Sequence, residues 1–223
     1  MTATLTSLKL PMPMRMGNVN GYLLRSETGF FLIDTGSSSA RKQLLSELAN
    51  AGCIPGSLRL VLLTHGDFDH TGNAAYLRSS FGVKLAMQRA DSGMGETGDM
   101  FENRKRPNVL IRSLIPLFTG FGKEEQFSPD LLLEGGDDLS PHGLDARVLS
   151  LPGHSKGSIG ILTAEGDLFC GDLFENTKGP ALNSLMDDLE AAKVSLAALE
   201  SYTIRFVYPG HGEPFTLDQL AKE

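Results

Sequence analysis

The chain has 223 residues and a formal net charge of −7, with 41% hydrophobic and 21% charged residues. This composition is typical of a globular protein, and the negative charge argues against a general nucleic-acid or anionic-membrane binder. No apolar run reaches the ~20 residues that cross a bilayer, and residues 1–10 lack the pattern of a signal peptide. The two cysteines, Cys53 and Cys170, lie far apart in the sequence. They are therefore expected to be buried free thiols in a reduced, cytoplasmic protein.

The first half of the chain predicts strands that give way to alternating helices and strands. The predicted strands span residues 4–10, 19–25, 29–34, 59–63 and 83–87, and the predicted helices span residues 37–50 and 73–81. Residues 59–63 are almost continuously apolar, which is expected for a strand buried on both faces. This order favours a sheet covered by helices.

The second half predicts a similar succession of strands and one long helix. Strands are predicted at residues 131–133, 146–151, 158–163, 168–170 and 205–208, with a helix at 184–201 and a short helix after Thr216. Within residues 184–201, leucines recur at helical spacing from Leu185 to Leu199, which predicts one apolar stripe facing a core. The two halves are expected to pack as one domain over residues 1–223.

Residues 88–130 interrupt this pattern. The segment is rich in glycine, methionine and phenylalanine and contains a predicted amphipathic helix at 108–118. Such a composition suits either an adaptable lid or substrate pocket, or a plain helical excursion that packs on the sheet. Its basic residues form a solvated face or pair with an anionic substrate group; they are Arg104, Lys105, Arg106 and Arg112.

Four potential metal ligands follow the apolar strand 59–63 within six residues. They are His65, Asp67, Asp69 and His70. The side chains of residues 65 and 67 are two positions apart, and residues 69 and 70 follow around a tight turn. One short loop can therefore serve two neighbouring metal ions.

Three further candidates each follow a predicted strand through a glycine. His154 follows Pro152-Gly153, Asp172 follows Gly171, and His211 follows Pro209-Gly210. Strand ends of this kind can converge at one edge of a sheet. The fifth histidine of the chain, His142, has no such neighbours and is expected in a surface loop.

Imidazole nitrogens and carboxylate oxygens are the ligands that Zn, Fe and Mn take in proteins. Seven such groups are about the number that a pair of divalent ions needs while leaving a position open for water. A single histidine or aspartate after a strand is usually structural, but four of five histidines in the same context indicate a shared site.

These motifs together resemble the metallo-β-lactamase superfamily. The segment Thr64-His65-Gly66-Asp67-Phe68-Asp69-His70-Thr71-Gly72 is similar to its first metal motif, and Leu151-Pro152-Gly153-His154 is similar to its second. Gly171-Asp172 and Pro209-Gly210-His211 complete the pattern, while Asp34-Thr35-Gly36 resembles the motif that supports the metal loop. The resemblance covers nearly the whole chain. It implies an α/β fold, a four-layer αββα sandwich of two mixed sheets with a dinuclear metal site at one edge.

The resemblance also implies a ligand set. One ion would be held by His65, Asp67 and His154, the other by Asp69, His70 and His211, with Asp172 bridging the two. The family motif usually has a second histidine where this chain has Asp67. A carboxylate there favours Fe or Mn over Zn, while its short side chain leaves open a weakly filled first site.

The function that the resemblance implies is a metal-dependent hydrolase acting on an ester, thioester, lactone or phosphodiester through a metal-bound hydroxide. Asp69 would orient the nucleophile and assist proton transfer. Two alternatives stay open: an iron-dependent oxidoreductase of the sulfur-dioxygenase or diiron oxygen- or nitric-oxide-reductase type, and a metal-binding protein without activity. The expected partner is a small-molecule substrate, with no nucleic acid and no membrane. The sequence leaves oligomerisation possible.

Overall fold

The computed structural model describes residues 4–104 and 122–220, which form two packed sheets with helices on their outer faces. The first sheet contains β1 (Thr4–Pro11), β2 (Asn18–Ser26), β3 (Gly29–Ile33), β4 (Leu58–Leu63), β5 (Lys84–Gln88) and β6 (Leu131–Leu133), in that order. Its first three strands are antiparallel neighbours, and β3 to β6 are parallel neighbours. The sheet is mixed, as the resemblance implies.

The second sheet is built from the other half of the chain. It contains β7 (Ala146–Ser150), β8 (Ile159–Thr163), β9 (Asp167–Asn176), β10 (Ala181–Leu182) and β11 (Phe206–Gly212). The strands β7 to β10 pair antiparallel in the order β10-β9-β8-β7, and β11 pairs parallel with β9. Within residues 4–104 and 122–220, the α-helices are α1 (Arg41–Asn50), α2 (Phe68–Thr71), α3 (Ala74–Phe81), α4 (Ser92–Thr97) and α5 (Leu189–Leu199).

Three apolar clusters hold the four layers together. One lies between the first sheet and its helices and includes Leu44 of α1 and Leu77 of α3. A second fills the space between the sheets, with Phe31 and Phe169 among its fully buried side chains. The third lies between the second sheet and α5, where Leu199 is buried. The expected αββα sandwich is confirmed, and its two sheets bring the strand ends of both halves of the chain to one edge.

Helix α5 is shorter than the predicted helix 184–201. Asp188 caps it by accepting a hydrogen bond from the backbone N–H of Ala191 at 3.0 Å, so the chain enters the helix only at Leu189. Leu185 and Leu189, which were expected on the buried stripe, are exposed, whereas Ala192 and Leu199 are buried. The predicted stripe is wrong at its N-terminal end, because Leu185 lies in the loop before the helix and Leu189 is the first residue of α5, where its side chain is exposed.

Strands β9 and β11 run further than predicted. Asp172 and His211 therefore lie within strands, although each was expected in a turn after one. Gly171 adopts a positive φ of 51°, and the β9–β11 pairing shifts register on both sides of Pro209. The glycines and proline thus produce irregularities that re-aim side chains inside a strand instead of ending it.

The segment after β5 returns to the same sheet at β6, which pairs parallel with β5. Its described parts include α4 and Phe127, whose ring packs with the first apolar cluster. The predicted helix 108–118 falls outside the described residues, so the choice between a lid or pocket and a plain helical excursion for residues 88–130 stays open. The predicted C-terminal helix is a single 3₁₀ turn, Leu217–Gln219, capped by Thr216 and Gln219.

Both cysteines are buried and free, as predicted. His142 is exposed in a short 3₁₀ turn, also as predicted. Among the helices of residues 4–104 and 122–220, none has both the length and the apolar character needed to span a bilayer.

Candidate metal centre

The first metal motif begins where β4 ends. Thr64 and His65 follow the strand directly, and Asp67 is the residue before α2. Asp69 and His70 lie within α2, and the ring of His70 lies against that of His65 with centroids 4.1 Å apart. One buried loop and one helical turn therefore present four candidate ligands, as the sequence predicts.

The second half of the site comes from three places in the second sheet. His154 lies in the loop between β7 and β8, Asp172 lies in β9, and His211 lies in β11. The structure brings all three to the first motif, although His70 and His211 are far apart in the sequence. Asp172 stands between the histidines: its carboxylate lies 3.3 Å from His70 Nε2 and 3.4 Å from His211 Nε2.

One side of the centre is formed by His65, Asp67 and His154. Asp67 Oδ2 lies 2.9 Å from His154 Nε2 and 3.5 Å from His65 Nε2. The rings of His65 and His154 meet edge to face with centroids 4.7 Å apart. Candidate ligand atoms of these two histidines and Asp172 lie within 4.8 Å of one another. A short aspartate at position 67 therefore does reach this side of the site.

The other side is formed by Asp69, His70 and His211. His211 Nε2 lies 3.4 Å from Asp69 Oδ2, and His70 Nε2 lies 3.8 Å from the same oxygen. The three side chains offer ligand atoms within 4.8 Å of one another. Asp172 reaches both sides, since its Oδ2 also lies 3.8 Å from His154 Nε2.

Each histidine is oriented by a contact to its Nδ1 atom. The carbonyl of Leu185 lies 2.6 Å from His154 Nδ1, and the carbonyl of Asn18 lies 3.0 Å from His211 Nδ1. A carbonyl can only accept, so in both rings Nδ1 carries the proton and donates it. Nε2 in the neutral ring then has a free lone pair, which is the state that a metal ligand needs.

Asp34 extends this orientation to the first motif. Its Oδ2 lies 2.8 Å from His70 Nδ1 and accepts a hydrogen bond from Thr64 Oγ1 at 2.7 Å. Because the Thr64 hydroxyl hydrogen is used in that bond, its oxygen can accept from His65 Nδ1, 3.0 Å away. Asp34 Oδ1 accepts from the backbone N–H of Thr64 at 2.9 Å. The expectation that Asp34 supports the metal loop agrees with these contacts.

Asp91 is a buried supporting residue that the sequence analysis missed. Its carboxylate accepts hydrogen bonds from the backbone N–H of Gly66 at 3.2 Å, from that of Gly157 at 2.9 Å and from the Ser155 hydroxyl at 2.6 Å. It thus ties the loop of His65 to the loop of His154. Asp91 follows β5 as the candidate ligands follow their strands, so the same strand-end rule applied to β5 would have indicated it.

Arg104 does not belong to a solvated basic face, and that expectation is wrong. Its side chain is only 6% exposed, and its Nη1 lies 2.6 Å from Asp67 Oδ1 while its Nε lies 2.8 Å from Asp187 Oδ2. The two carboxylates draw this arginine inward. Lys105, Arg106 and Arg112 lie outside the described residues.

The charged groups of the site strongly shift the pKa values of its histidine side chains. Burial alone would lower the pKa of His70, but the carboxylates of Asp172, Asp34 and Asp69 raise it well above its ordinary value. Burial likewise opposes protonation of His211, but mainly Asp172 raises its pKa to about 10. Without metal ions, protons on His70 and His211 would therefore balance the crowded carboxylates.

The carboxylates respond in the opposite sense. Burial would raise the pKa of Asp67, but the hydrogen bonds with His154 and His65 and the charge of Arg104 hold it well below its ordinary value. Burial would also raise the pKa of Asp172, but His211 and His70 hold it well below its ordinary value. Both groups are thus ionised, as metal-binding carboxylates must be.

The residues present fit a metal centre. Within the described part of the chain, His65 Nε2, His70 Nε2 and Asp172 Oδ1 are buried without a hydrogen-bond partner. Buried polar atoms without partners are costly, and a cation coordinated among them would satisfy all three. The mixture of imidazole and carboxylate donors suits Zn, Fe or Mn.

Comparisons with known proteins agree with this geometry. The family described as the "Metallo-beta-lactamase superfamily" matches residues 14–211. Human metallo-beta-lactamase domain-containing protein 1 is 43% identical over 226 residues, which cover 95% of this chain and 68% of that protein. The crystal structure of TTHA1623 in a di-iron-bound form is 28% identical, with a TM-score of 0.69 and coverage of 94% of this chain and 95% of that chain.

Two further relatives carry names that describe a reaction. The hydroxyacylglutathione hydrolase GloC of Haemophilus influenzae is 32% identical over 118 residues, which cover 52% of this chain and 50% of the relative. The atrochrysone carboxyl ACP thioesterase of Aspergillus fumigatus is 28% identical over 209 residues, which cover 91% of this chain and 53% of the relative. The matched segments thus span about half the length of these two proteins.

Proposed function

Because the chain belongs to the metallo-β-lactamase superfamily, we propose that it is a dinuclear metal-dependent hydrolase of thioesters. The observation that carries the metal dependence is the convergence of four histidines and three aspartates around buried, unpartnered His65 Nε2, His70 Nε2 and Asp172 Oδ1. The thioester class is supported by the two relatives named for hydrolysis of an acylated glutathione and of an acyl-ACP.

Two ions held by these residues would supply Lewis-acid activation of the carbonyl and a water whose pKa is lowered towards neutrality. The ligand assignment follows the two sides of the site: His65, Asp67 and His154 on one, Asp69, His70 and His211 on the other, and Asp172 between them. The Asp34, Leu185 and Asn18 contacts keep the imidazoles oriented before substrate arrives. Such orientation lowers the reorganisation that the reaction requires.

Asp69 is the proposed proton-handling residue. Its Oδ2 lies 3.4 Å from His211 Nε2, and Asp69 is buried at the floor of the second side. From there its carboxylate can accept a hydrogen bond from the attacking water and pass the proton towards the thiolate that leaves. The thiolate is a good leaving group, so the demand on this proton transfer is smaller than for an ester.

An apolar rim supports an acylated substrate. Met16 is 53% exposed and lies in the hairpin loop between β1 and β2. It is two residues before Asn18, whose carbonyl accepts a hydrogen bond from His211 Nδ1. Leu185, whose carbonyl holds His154, is 73% exposed. Exposed apolar side chains thus belong to Leu185, whose own carbonyl contacts a candidate ligand, and to Met16, two residues from another such carbonyl. An acyl chain could be bound there by burial of apolar area.

The test is a substrate comparison with protein purified without chelator. Thioester hydrolysis is followed by thiol release from an acylglutathione and an acyl-coenzyme A, beside matched lactone and phosphodiester substrates. We expect thioester turnover that chelation abolishes and His70→Ala removes. Turnover confined to lactones or phosphodiesters would overturn the substrate class, and full turnover by His70→Ala would overturn the site.

The rim is tested separately. Met16→Ser and Leu185→Ser are expected to raise KM for long acyl chains several-fold while kcat changes little. Ile54 is 60% exposed away from the metal motifs and gives the matched control Ile54→Ser, which should leave KM unchanged. Equal KM values in all three variants would contradict the rim assignment.

A second candidate is an iron-dependent oxidoreductase. It is favoured by Asp67, which adds a hard carboxylate ligand, and by the likeness to a structure in a di-iron-bound form. Thiol-dependent oxygen uptake by iron-loaded protein, without thioester turnover, would support this function and overturn the hydrolase.

A further inference from the structure

Asp67 uses its two carboxylate oxygens in different ways. Oδ2 faces the centre, 2.9 Å from His154 Nε2 and 3.5 Å from His65 Nε2. Metal–ligand bonds of about 2.0–2.2 Å place neighbouring ligand atoms roughly 3–3.5 Å apart, so both distances fit Oδ2 as a ligand beside these histidines. Oδ1 lies 2.6 Å from Arg104 Nη1.

Arg104 reaches Asp67 from a separate part of the chain. It follows α4 in the segment between β5 and β6, whereas Asp67 follows β4. Both side chains are less than a tenth exposed, and Arg104 Nε makes a second contact of 2.8 Å with Asp187 Oδ2. A guanidinium keeps its charge at all accessible pH values, so its burial is tolerable only beside carboxylates.

We propose that Asp67 and Arg104 together form a charge-compensated metal ligand, with Arg104 as a metal-specificity positioning residue. Arg104 fixes Oδ1, so that Asp67 offers only Oδ2 to the ion, and it cancels the charge that Asp67 adds. The pair then presents one donor atom and no net charge, as a neutral histidine would. This inference rests on the metal centre of the proposed function but not on the substrate.

If the two residues act as a pair, replacing either one alone should change the metal affinity of the site. Asp67→His alone supplies an imidazole but leaves the Arg104 guanidinium without its nearest carboxylate, close to a divalent cation. That variant should bind metal worse than the wild type, although it restores the usual family motif. Replacing Arg104 as well should remove the repulsion. Arg104→Gln alone should leave an uncompensated carboxylate that favours a hard ion.

The experiment measures metal binding directly, by competition with a chromophoric chelator and by metal analysis after dialysis. Wild-type protein is compared with Asp67→His, Arg104→Gln and the double variant. We expect Asp67→His to lower the Zn affinity of one site about tenfold or more and the double variant to recover most of that loss. We expect Arg104→Gln to raise the ratio of Mn to Zn affinity several-fold.

Arg104→Lys and Arg89→Gln supply the controls. Lysine keeps the positive charge, so Arg104→Lys should keep the ratio of Mn to Zn affinity near the wild-type value. Comparing Arg104→Lys with Arg104→Gln therefore tests the inference without Asp67→His, in case that variant folds poorly. Arg89 also lies after β5, but its side chain is 67% exposed, and it pairs with Glu134. Its replacement should change neither affinity nor ratio.

The outcomes separate this inference from the proposed function. If the wild type binds two ions but Asp67→His binds Zn as tightly, or the double variant is no better than Asp67→His, the pairing is wrong and the metal centre stands. An unchanged Mn-to-Zn ratio in Arg104→Gln would also overturn it. A wild type that binds no metal ion would overturn both. Metal binding without thioester turnover would affect only the substrate class.

Discussion

Among single residues, Asp34 supports the centre directly without belonging to the proposed ligands. It binds His70 Nδ1 and both the backbone N–H and the hydroxyl of Thr64. Asp34→Asn removes one acceptor and the charge that orients the His70 ring. Because such supporting contacts typically contribute 10–100-fold to metal affinity, we expect a loss of that size in a competition titration.

Asp145 provides the matched control for that substitution, since it is exposed and lies at the start of the second sheet. Asp145→Asn should leave metal affinity unchanged. If Asp34→Asn binds metal as tightly as Asp145→Asn does, then orientation of the His70 ring by Asp34 does not contribute to metal affinity. Asp34 also has a positive φ of 57°, a conformation that asparagine tolerates, so a backbone effect does not complicate the comparison.

The histidine pKa shifts predict how the metal-free protein responds to pH. The folded pKa of His211 is about 10 against an ordinary 6.5, so its stabilising contribution is full below about pH 6.5 and is lost as pH rises towards 10. Asp172 acts in the opposite direction, since its pKa is lowered from 3.8 and its contribution is lost in acid. We expect the melting temperature of chelated protein to fall by several degrees between pH 6 and pH 9.

The variant His211→Asn tests this interpretation because asparagine does not titrate. Its melting temperature should vary less between the same two pH values than that of the wild type. A wild-type melting temperature that rises towards pH 9 in the presence of chelator would contradict the assigned charge balance. The affinity of the site for metal ions should instead rise between pH 6 and pH 9, since protons compete with the ions for the same ligand atoms.

At this scale the sequence indicates the proposed ligands and the supporting residue Asp34, but not the supporting roles of Arg104 and Asp91. His65, His154 and His211 each stand beside a turn signal at the end of a strand, so local pattern is enough to find them. Arg104 and Asp91 act through contacts with residues 25 or more positions away, such as Asp67 and Gly66. The strand-end rule indicates Asp91, but the sequence does not reveal the partners of either residue, because these contacts form only once β4, β5 and the following loop have packed together.

Among the elements, the loop between β7 and β8 depends on Gly153. This residue has a φ of +148°, and a Cβ there would lie 2.6 Å from the Cβ of Ala192 in α5. Gly153→Ala should therefore destabilise the fold by strain and contact and push His154 away from the centre. We expect a lower melting temperature and weaker metal binding on the side formed by His65 and His154.

Gly136→Ala separates these two effects. Gly136 also has a positive φ, +98°, but a Cβ there would meet nothing within 4 Å. Gly136→Ala should lower the free energy of unfolding by about 1–3 kcal/mol through backbone strain alone and leave metal affinity unchanged. If Gly153→Ala changes metal affinity no more than Gly136→Ala does, the contact with α5 does not position His154.

The prediction of elements is accurate for the first sheet and weaker near the site in the second. Strand β4 is bounded by clear signals and matches its predicted range closely. β9 and β11 extend beyond Gly171 and Pro209-Gly210, because the two strands pair with each other across these interruptions. Sequence alone marks the interruption but does not decide between a turn and a bulge, since that depends on the neighbouring strand.

In the whole molecule, the proposed centre joins two sheets that also meet through an apolar cluster and through hydrogen bonds. Tyr22 and Asn20 of β2 donate to the carbonyl of Pro209 in β11, at 2.6 Å and 3.0 Å. His70 and Asp69 come from the first half of the chain, whereas Asp172 and His211 come from the second sheet. Ions held between them would therefore cross-link the two halves in the folded state alone.

That arrangement makes metal removal a test of the whole fold. An ion at 100 times its dissociation constant adds about 2.7 kcal/mol to the free energy of unfolding if it binds only folded protein. For a chain of this size that corresponds to roughly 5–10 °C in melting temperature per site. We expect chelation to lower the melting temperature by at least this amount and readdition of Zn or Mn to restore it.

His70→Ala shows whether the effect arises at this centre. The variant is less stable than the wild type even without metal, so the rise in melting temperature on adding metal is the quantity to compare. That rise should be much smaller in His70→Ala than in the wild type. A wild type that loses two ions to the chelator without a fall in melting temperature would contradict the cross-link. The ions would then sit where the unfolded chain or one half alone could hold them, which the burial of Asp172 and His70 between the two halves argues against.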